Sequence, residues 1–237
     1  MSMLLKLNCS ALMLAGLAIA GSANAEEHKA YVQFNAGAAF APSDSQSFGP
    51  FNGCVGTPSG FGCGSNLTET VKQPYDTGFV GSVALGYRIV DQLRIEVEGV
   101  YQSNDMDKLN YSFSGIESGN DPSFSVPLKG ERERTAFLLN GYYDFKNSTA
   151  FTPYITAGMG GYHLRLKEQY GSLENDLDFA WQAGAGVNYK LDDRVSFDLK
   201  YRYFGGADAE LKSPSGFSSR LYEVGDHQVL AGIKIGF

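Results

Sequence analysis

The stretch LRIEVEGVYQ, residues 93–102, decides the fold. Successive side chains of an extended strand point to opposite faces, so Leu93, Ile95 and Val97 share one side while Arg94, Glu96, Glu98 and Gln102 share the other. In a soluble sheet the apolar side is buried and the charged side is wet. That assignment fails if every strand repeats the pattern and nothing remains to cover the apolar face.

Seven more segments do repeat it. AYVQFNAGAAF sets Val32, Phe34 and Ala36 against Gln33, Asn35 and Gly37, and TGFVGSVALGYR sets Phe79, Val83, Leu85 and Tyr87 against Ser82, Gly86 and Arg88. TAFLLNGYYDF places Phe137, Leu139, Tyr143 and Phe145 opposite Asn140, Tyr142 and Asp144. TPYITAGMGGYHL and FAWQAGAGVNYKL continue with Ile155 and Met159, then Phe179, Trp181, Val187 and Tyr189, opposite Gly158, Gly160, Gln182, Gly184, Gly186 and Lys190. RVSFDLKYRYF sets Val195, Phe197, Leu199 and Tyr201 against Ser196, Asp198, Lys200 and Arg202, and HQVLAGIKIGF sets Val229, Ile233, Ile235 and Phe237 against Gln228, Gly232 and Lys234.

Each segment has about the ten residues that a tilted strand needs to cross a bilayer. The connections between them run to roughly 36, 4, 32, 6, 14, 2 and 22 residues in order, an alternation matching the long extracellular loops and short periplasmic turns of membrane barrels. Seven of the eight prolines fall in the long connections; Pro153 alone touches a strand, at its start. Tyr87, Tyr101, Tyr143, Tyr189 and Phe237 sit at the ends of apolar faces, where interfacial aromatic girdles lie. With no helices to cover the sheet, a sandwich with its apolar face inward competes with a closed barrel turning that face to lipid. Glycines on the polar face fit the crowded interior of a small barrel better than a wet surface, and closure pairs every backbone N–H and C=O, as a membrane requires. The pattern therefore predicts an eight-stranded antiparallel transmembrane β-barrel, all-β, with Glu96 and Glu98 pointing into its lumen.

Processing and composition agree. The first 25 residues, MSMLLKLNCSALMLAGLAIAGSANA, combine an early Lys6, an apolar run and Ala23-x-Ala25, and predict a signal peptide cut after Ala25, leaving a barrel domain over 26–237. The apolar run is too short for a comfortable membrane anchor, and Cys9 lies too far from the cut for lipid attachment. In an oxidising compartment Cys54 and Cys63 are expected to pair as a disulfide stapling one Gly-rich loop; a metal site is disfavoured because no His is near. A formal charge of −7 argues against nucleic acid as a partner, because phosphate binding needs concentrated Lys and Arg. No second run of 18 or more apolar residues occurs, which excludes a helical membrane protein.

At GSVALGYRIVDQLRIEVEGVYQ, LLNGYYDF, FTPYITAGMGGY, FAWQAGAGVNYKL and VSFDLKYRYF the chain resembles the small bacterial outer-membrane barrels grouped with opacity proteins and rickettsial-type surface antigens, which are similar to the OmpA-type barrel. The resemblance covers nearly all the strands and almost none of the long loops. It implies an outer-membrane location and a surface antigen or adhesin carried on the loops; the alternative is a passive structural barrel or narrow pore. It also implies that VLAGIKIGF, with Ile233, Ile235 and the final Phe237, is the signal read by the barrel-assembly machinery. Unlike full-length OmpA-type chains, no peptidoglycan-binding domain is expected after the barrel.

The lumen positions suggest two charge levels. Glu96 and Glu98 are expected near Asp198, Lys200 and Arg202, with Asp144, Lys190 and Lys234 at a lower level. A paired-carboxylate catalytic site is conceivable there, but Arg88 and Arg94 share the face, and cations balance the carboxylates. A network of ion pairs filling the barrel is the better reading. An outer-membrane lipid-modifying enzyme of serine type would need a Ser, a His and an acid together at the outer rim. His163, His227 and Ser103 approach that rim without a fixed mutual aim, so no enzyme, cofactor or metal is expected. In the loops, Phe48, Phe51 and Phe61 are candidates for an exposed apolar contact surface. Asp105, Asp107, Glu117, Asp121 and the run Lys129, Glu131, Arg132, Glu133, Arg134 are read as solvated, available to a host or environmental ligand.

Overall fold

In a computed structural model of the chain, residues 29–57, 60–116, 121–168, 171–207, 209–212, 218–221 and 224–237 are described. The expected signal peptide with its expected cut after Ala25, and Pro58, Glu117 and Pro214, lie outside them. Thirteen strands follow in order: β1 (Ala30–Phe40), β2 (Asp44–Thr57), β3 (Gly60–Gln73), β4 (Gly78–Val90), β5 (Leu93–Ser114), β6 (Ser123–Asp144), β7 (Phe151–Glu168), β8 (Gly171–Glu174), β9 (Asp178–Lys190), β10 (Val195–Gly206), β11 (Ala209–Lys212), β12 (Ser218–Leu221) and β13 (Val224–Gly236).

Eight of them close a ring. Antiparallel pairing runs β1 to β4, β5, β6, β7, β9, β10 and β13, and β13 returns to β1 with Tyr31 opposite Gly236 and Phe40 opposite His227. Closure removes the edges that a lipid environment could not satisfy. The side-chain alternation then sorts the two faces: Val97 is 61% exposed while its neighbour Glu98 is 0% exposed. Ile95, Leu139, Ile155, Met159, Leu199, Ile233 and Ile235 join Val97 on the outside, as an apolar belt.

Short turns gather at one end. Asp91 and Gln92 join β4 to β5, and at the β9–β10 turn the Asp192 carboxylate accepts the backbone N–H groups of Arg194 and Val195 at 2.7 Å each. These two bonds hold Asp192 below the ordinary carboxylate range.

The other end departs from the expected loops. The connection from Ser103 to Arg134 is largely strand: β5 and β6 are each 22 residues long, roughly 70 Å at the usual rise, about twice the bilayer core. Alternation continues there in polar form, with Arg132 and Arg134 inward and Glu131 and Glu133 outward, so pairing continues past the apolar belt. The first long connection folds likewise into the β2–β3 hairpin, and β3 docks on β5 from Thr68 opposite Ser114 to Lys72 opposite Asn110. The result is a β-lobe standing on the barrel at the end that carries the long connections, the extracellular one in membrane barrels.

Candidate functional site: a filled barrel and its extracellular lobe

The lowest interior layer is organised by Arg94. Its Nε and Nη2 donate to Asp144 at 2.8 and 2.9 Å, and Nη1 donates to Tyr31 Oη at 2.8 Å and to Glu96 Oε1 at 3.2 Å. Tyr31 Oη donates in turn to Glu96 at 2.6 Å, and the guanidinium lies 4.4 Å from the Tyr142 ring centroid, a cation–π distance. Tyr154 donates to both oxygens of Asp198, and Lys234 lies 5.0 Å from the Tyr31 ring centroid. Two glycines make this layer possible: Gly86 lies opposite Tyr31 and Gly186 opposite Tyr154, and a Cβ at either would run into the tyrosine ring that crosses it.

Above it, Glu98 accepts from Arg202 Nη1 at 2.7 Å and from Asn140 Nδ2 at 2.8 Å, and Lys200 Nζ lies 3.8 Å from its other oxygen. Arg202 Nε reaches Gln228 at 2.6 Å, and Gln228 reaches Gln102 at 2.7 Å. A third layer pairs Arg132 and Arg134 with the buried Asp226, while Arg134 also donates to Gln102 at 2.6 Å. Around it an apolar cluster that includes Ala39, Val80, Val100, Leu138, Leu164, Leu166, Phe204 and Leu230 packs across the barrel.

The positions singled out from sequence thus divide. Glu98, Lys200 and Arg202 come together, Glu96 and Asp144 meet through Arg94, and Asp198 meets Tyr154. Lys190 does not join an interior level. It is the last residue of β9, and its four-carbon stem leaves the lumen to pair with Asp193 at 2.8 Å in the exposed turn. Arg132, Arg134 and Asp226, read as loop residues or passed over, are interior instead. Ile233 and Ile235 face outward, and Phe237 N–H donates to Ala30 C=O at 3.0 Å, closing the last strand on the first.

The rim histidines and serine have separate partners. Ser103 donates to Glu131 at 2.7 Å, His163 Nε2 is 3.8 Å from Glu174, and His227 Nδ1 shares a hydrogen bond with Tyr201 Oη at 2.7 Å. Beside Ser103, Lys167 bridges Glu131 and Glu133 at 3.4 and 2.7 Å, a charged strip above the belt.

The lobe has a core of its own. Leu67, Phe113 and Ile116 are buried, with Phe51, Val55, Tyr111 and Phe124 packed against them. Phe51 is therefore half-buried against the lobe core rather than fully exposed; Phe48 and Phe61 are exposed, Phe61 by 85%. Cys54 and Cys63 stand directly opposite each other and are bonded, clasping the far half of the hairpin.

The outer membrane protein beta-barrel domain family matches residues 9–232 of the chain. The outer membrane protein PagN of Salmonella typhimurium is 33% identical over 146 residues, 56% of this chain and 59% of that protein. A putative adhesin of Rickettsia conorii is 28% identical over 189 residues, 72% of this chain and 71% of that one. The chain thus spans less than two thirds of the first of these relatives. Among solved structures, Neisserial surface protein A superposes with a TM-score of 0.52 at 17% identity, covering 88% of this chain and 97% of the other, a likeness of fold.

Proposed function

This chain belongs to the outer membrane protein beta-barrel family, and from that premise we propose that it is a bacterial surface adhesin in which the barrel is a closed pedestal and the extracellular lobe is the binding part. The observation that carries this reading is the contrast in filling. Ion pairs and an apolar cluster occupy the lumen from Arg94 to Asp226, a filling that supports a non-conducting barrel, while the lobe carries its own core into solvent. The relative named a putative adhesin is consistent with it.

On this reading the chain performs no catalysis. Its partners are the outer-membrane bilayer, the barrel-assembly machinery acting on the strand that ends at Phe237, and a host or environmental surface met by the lobe. Two measurements test it. Purified barrel in planar bilayers should give no steady single-channel conductance. Bacteria displaying the full chain should attach to epithelial cells, and replacing residues 44–73 with a short linker should abolish attachment while the barrel still migrates as folded. Steady conductance, or attachment that survives the deletion, would defeat the proposal.

A further inference from the structure

Each of the eight ring strands has neighbours on both sides, but among the described residues the sheet that rises from the ring ends at β2 on one side and at the four-residue β12 on the other. Among the described residues β2 pairs with β3 alone, and from Ser45 to Gly56 its residues are exposed or half-buried. The Cα atoms of Cys54 and Cys63 are 4.0 Å apart. In an antiparallel ladder the close pairs, about 4.5 Å rather than about 5.5 Å, are the ones that exchange no hydrogen bonds. The N–H and C=O of Cys54 therefore turn away from β3, toward the open side. Register is unbroken from Gly53 to Thr57, so Gly56 repeats that orientation one strand period further on.

Exposed edges are ordinarily blunted by charge, proline or bulges. Here Pro50 and both register shifts lie before this run, and no charged residue occurs from Ser45 to Thr57. The disulfide also pins the register of a Gly-rich hairpin that could otherwise slip. What remains is a short, rigid row of donors and acceptors at strand spacing.

Only another extended polypeptide matches such a row; glycans and lipids do not offer alternating amide groups at that repeat. The edge itself is uncharged, and the sign preference comes from the lobe around it: Glu69, Asp76, Asp105, Asp107 and Asp121 outnumber Lys72, Lys108 and Lys129, while Glu131 and Glu133 are matched in number by Arg132 and Arg134. Charge complementarity across an interface favours a basic partner over a second copy of this acidic lobe. We propose that the open edge of β2 at Cys54–Gly56 takes an extended, lysine- or arginine-bearing segment of a partner protein as an added strand. This deepens the adhesin reading and rests on it.

The probe is a capped peptide of five Lys-Val repeats, titrated onto the full chain in detergent micelles. It should bind saturably, and more than tenfold more tightly than either a Glu-Val peptide or the same Lys-Val peptide N-methylated at every valine. Gly56→Pro removes the outward N–H and should weaken binding more than tenfold. Gly56→Ala should bind as the parent does, because the nearest atom to an added Cβ is on the Phe61 ring at 3.9 Å. Hydrogen exchange at the Cys54 and Gly56 amides should slow on binding. Absence of saturable binding, equal binding of the N-methylated peptide, or indifference to Gly56→Pro would overturn the proposal. So would concentration-dependent dimerisation of the chain abolished by Gly56→Pro, which would give the edge to a second copy. If any of these occurs while deletion of residues 44–73 still abolishes cell attachment, the edge assignment fails and the adhesin reading stands.

Discussion

Strands β5 and β6 run through two environments, and the same alternation is used in opposite senses in each. Within the apolar belt their outward residues are Ile95, Val97, Phe137 and Leu139, and their inward ones are Arg94, Glu96, Glu98 and Asn140. Just above the belt Glu131 and Glu133 face outward while Arg132 and Arg134 still face inward onto Asp226, and only further up does the inward side become apolar, where Phe113 turns onto Leu67. The solvent explains the reversal: lipid accepts no outward charge, so the charges go inside and must neutralise one another, whereas water accepts outward charge and leaves the inside free for an apolar core. The barrel's polar chemistry is consequently spent on itself. That of the lobe is available.

The largest expected effect breaks the interior side of this comparison. Arg202→Ala removes the 2.7 Å partner of Glu98 and leaves it only Lys200 at 3.8 Å, so the loss should approach the about 3 to 5 kcal/mol of a broken buried pair. The combined variant Glu98→Gln, Lys200→Met and Arg202→Met should cost clearly less, because no charge of the cluster is then stranded. Urea unfolding of the barrel in lipid vesicles measures both. Strictly additive losses would mean that the pair is not coupled and that the lumen is wetter than its packing indicates.

Next in size is the outer face. Ile95→Arg places a charge against the hydrocarbon and should oppose folding into bilayers by about 2 to 4 kcal/mol near the midplane. Val126→Arg, equally outward and similarly exposed but in the lobe, should change stability by no more than about 0.5 kcal/mol. Equal costs would put the lobe in lipid and undo the contrast.

Sequence patterning made the barrel legible because lipid imposes a strict period of two on the outward face. Long apolar outward side chains such as Leu139 and Leu199 mark every strand, and the alternation of connection lengths gives the topology. The same rule made Glu98 and Arg202 legible as interior residues. It failed at Lys190, whose parity is inward but whose position at a strand end lets a flexible stem choose solvent and Asp193. It failed in the opposite sense at Arg132 and Arg134, where a charged run reads as a solvated loop. Their parity matches that of Leu138 and Asn140, and following that parity upward would have placed them inside. Nothing in the sequence pointed to Asp226 as their partner, because ring neighbours far apart along the chain are set by closure rather than by local pattern.

The smallest expected effect sharpens the boundary within the lobe. The bond between Cys54 and Cys63 closes a loop with a sequence separation of 9, and loop-closure entropy for so short a loop gives about 2 to 3 kcal/mol, confined to the segment it clasps. The lower half of the hairpin has independent support: Leu67 packs on Phe113 and Ile116, and β3 pairs with β5 from Thr68 to Lys72. Reduction should therefore speed amide exchange from Gly53 to Gly64, leave Glu69 to Lys72 protected, and not alter unfolding of the barrel. If protection vanished along the whole β3–β5 seam, the disulfide rather than the small apolar core would be holding the lobe upright. If nothing changed, backbone pairing alone would suffice to fix the hairpin, and the edge of β2 would keep its register without the clasp.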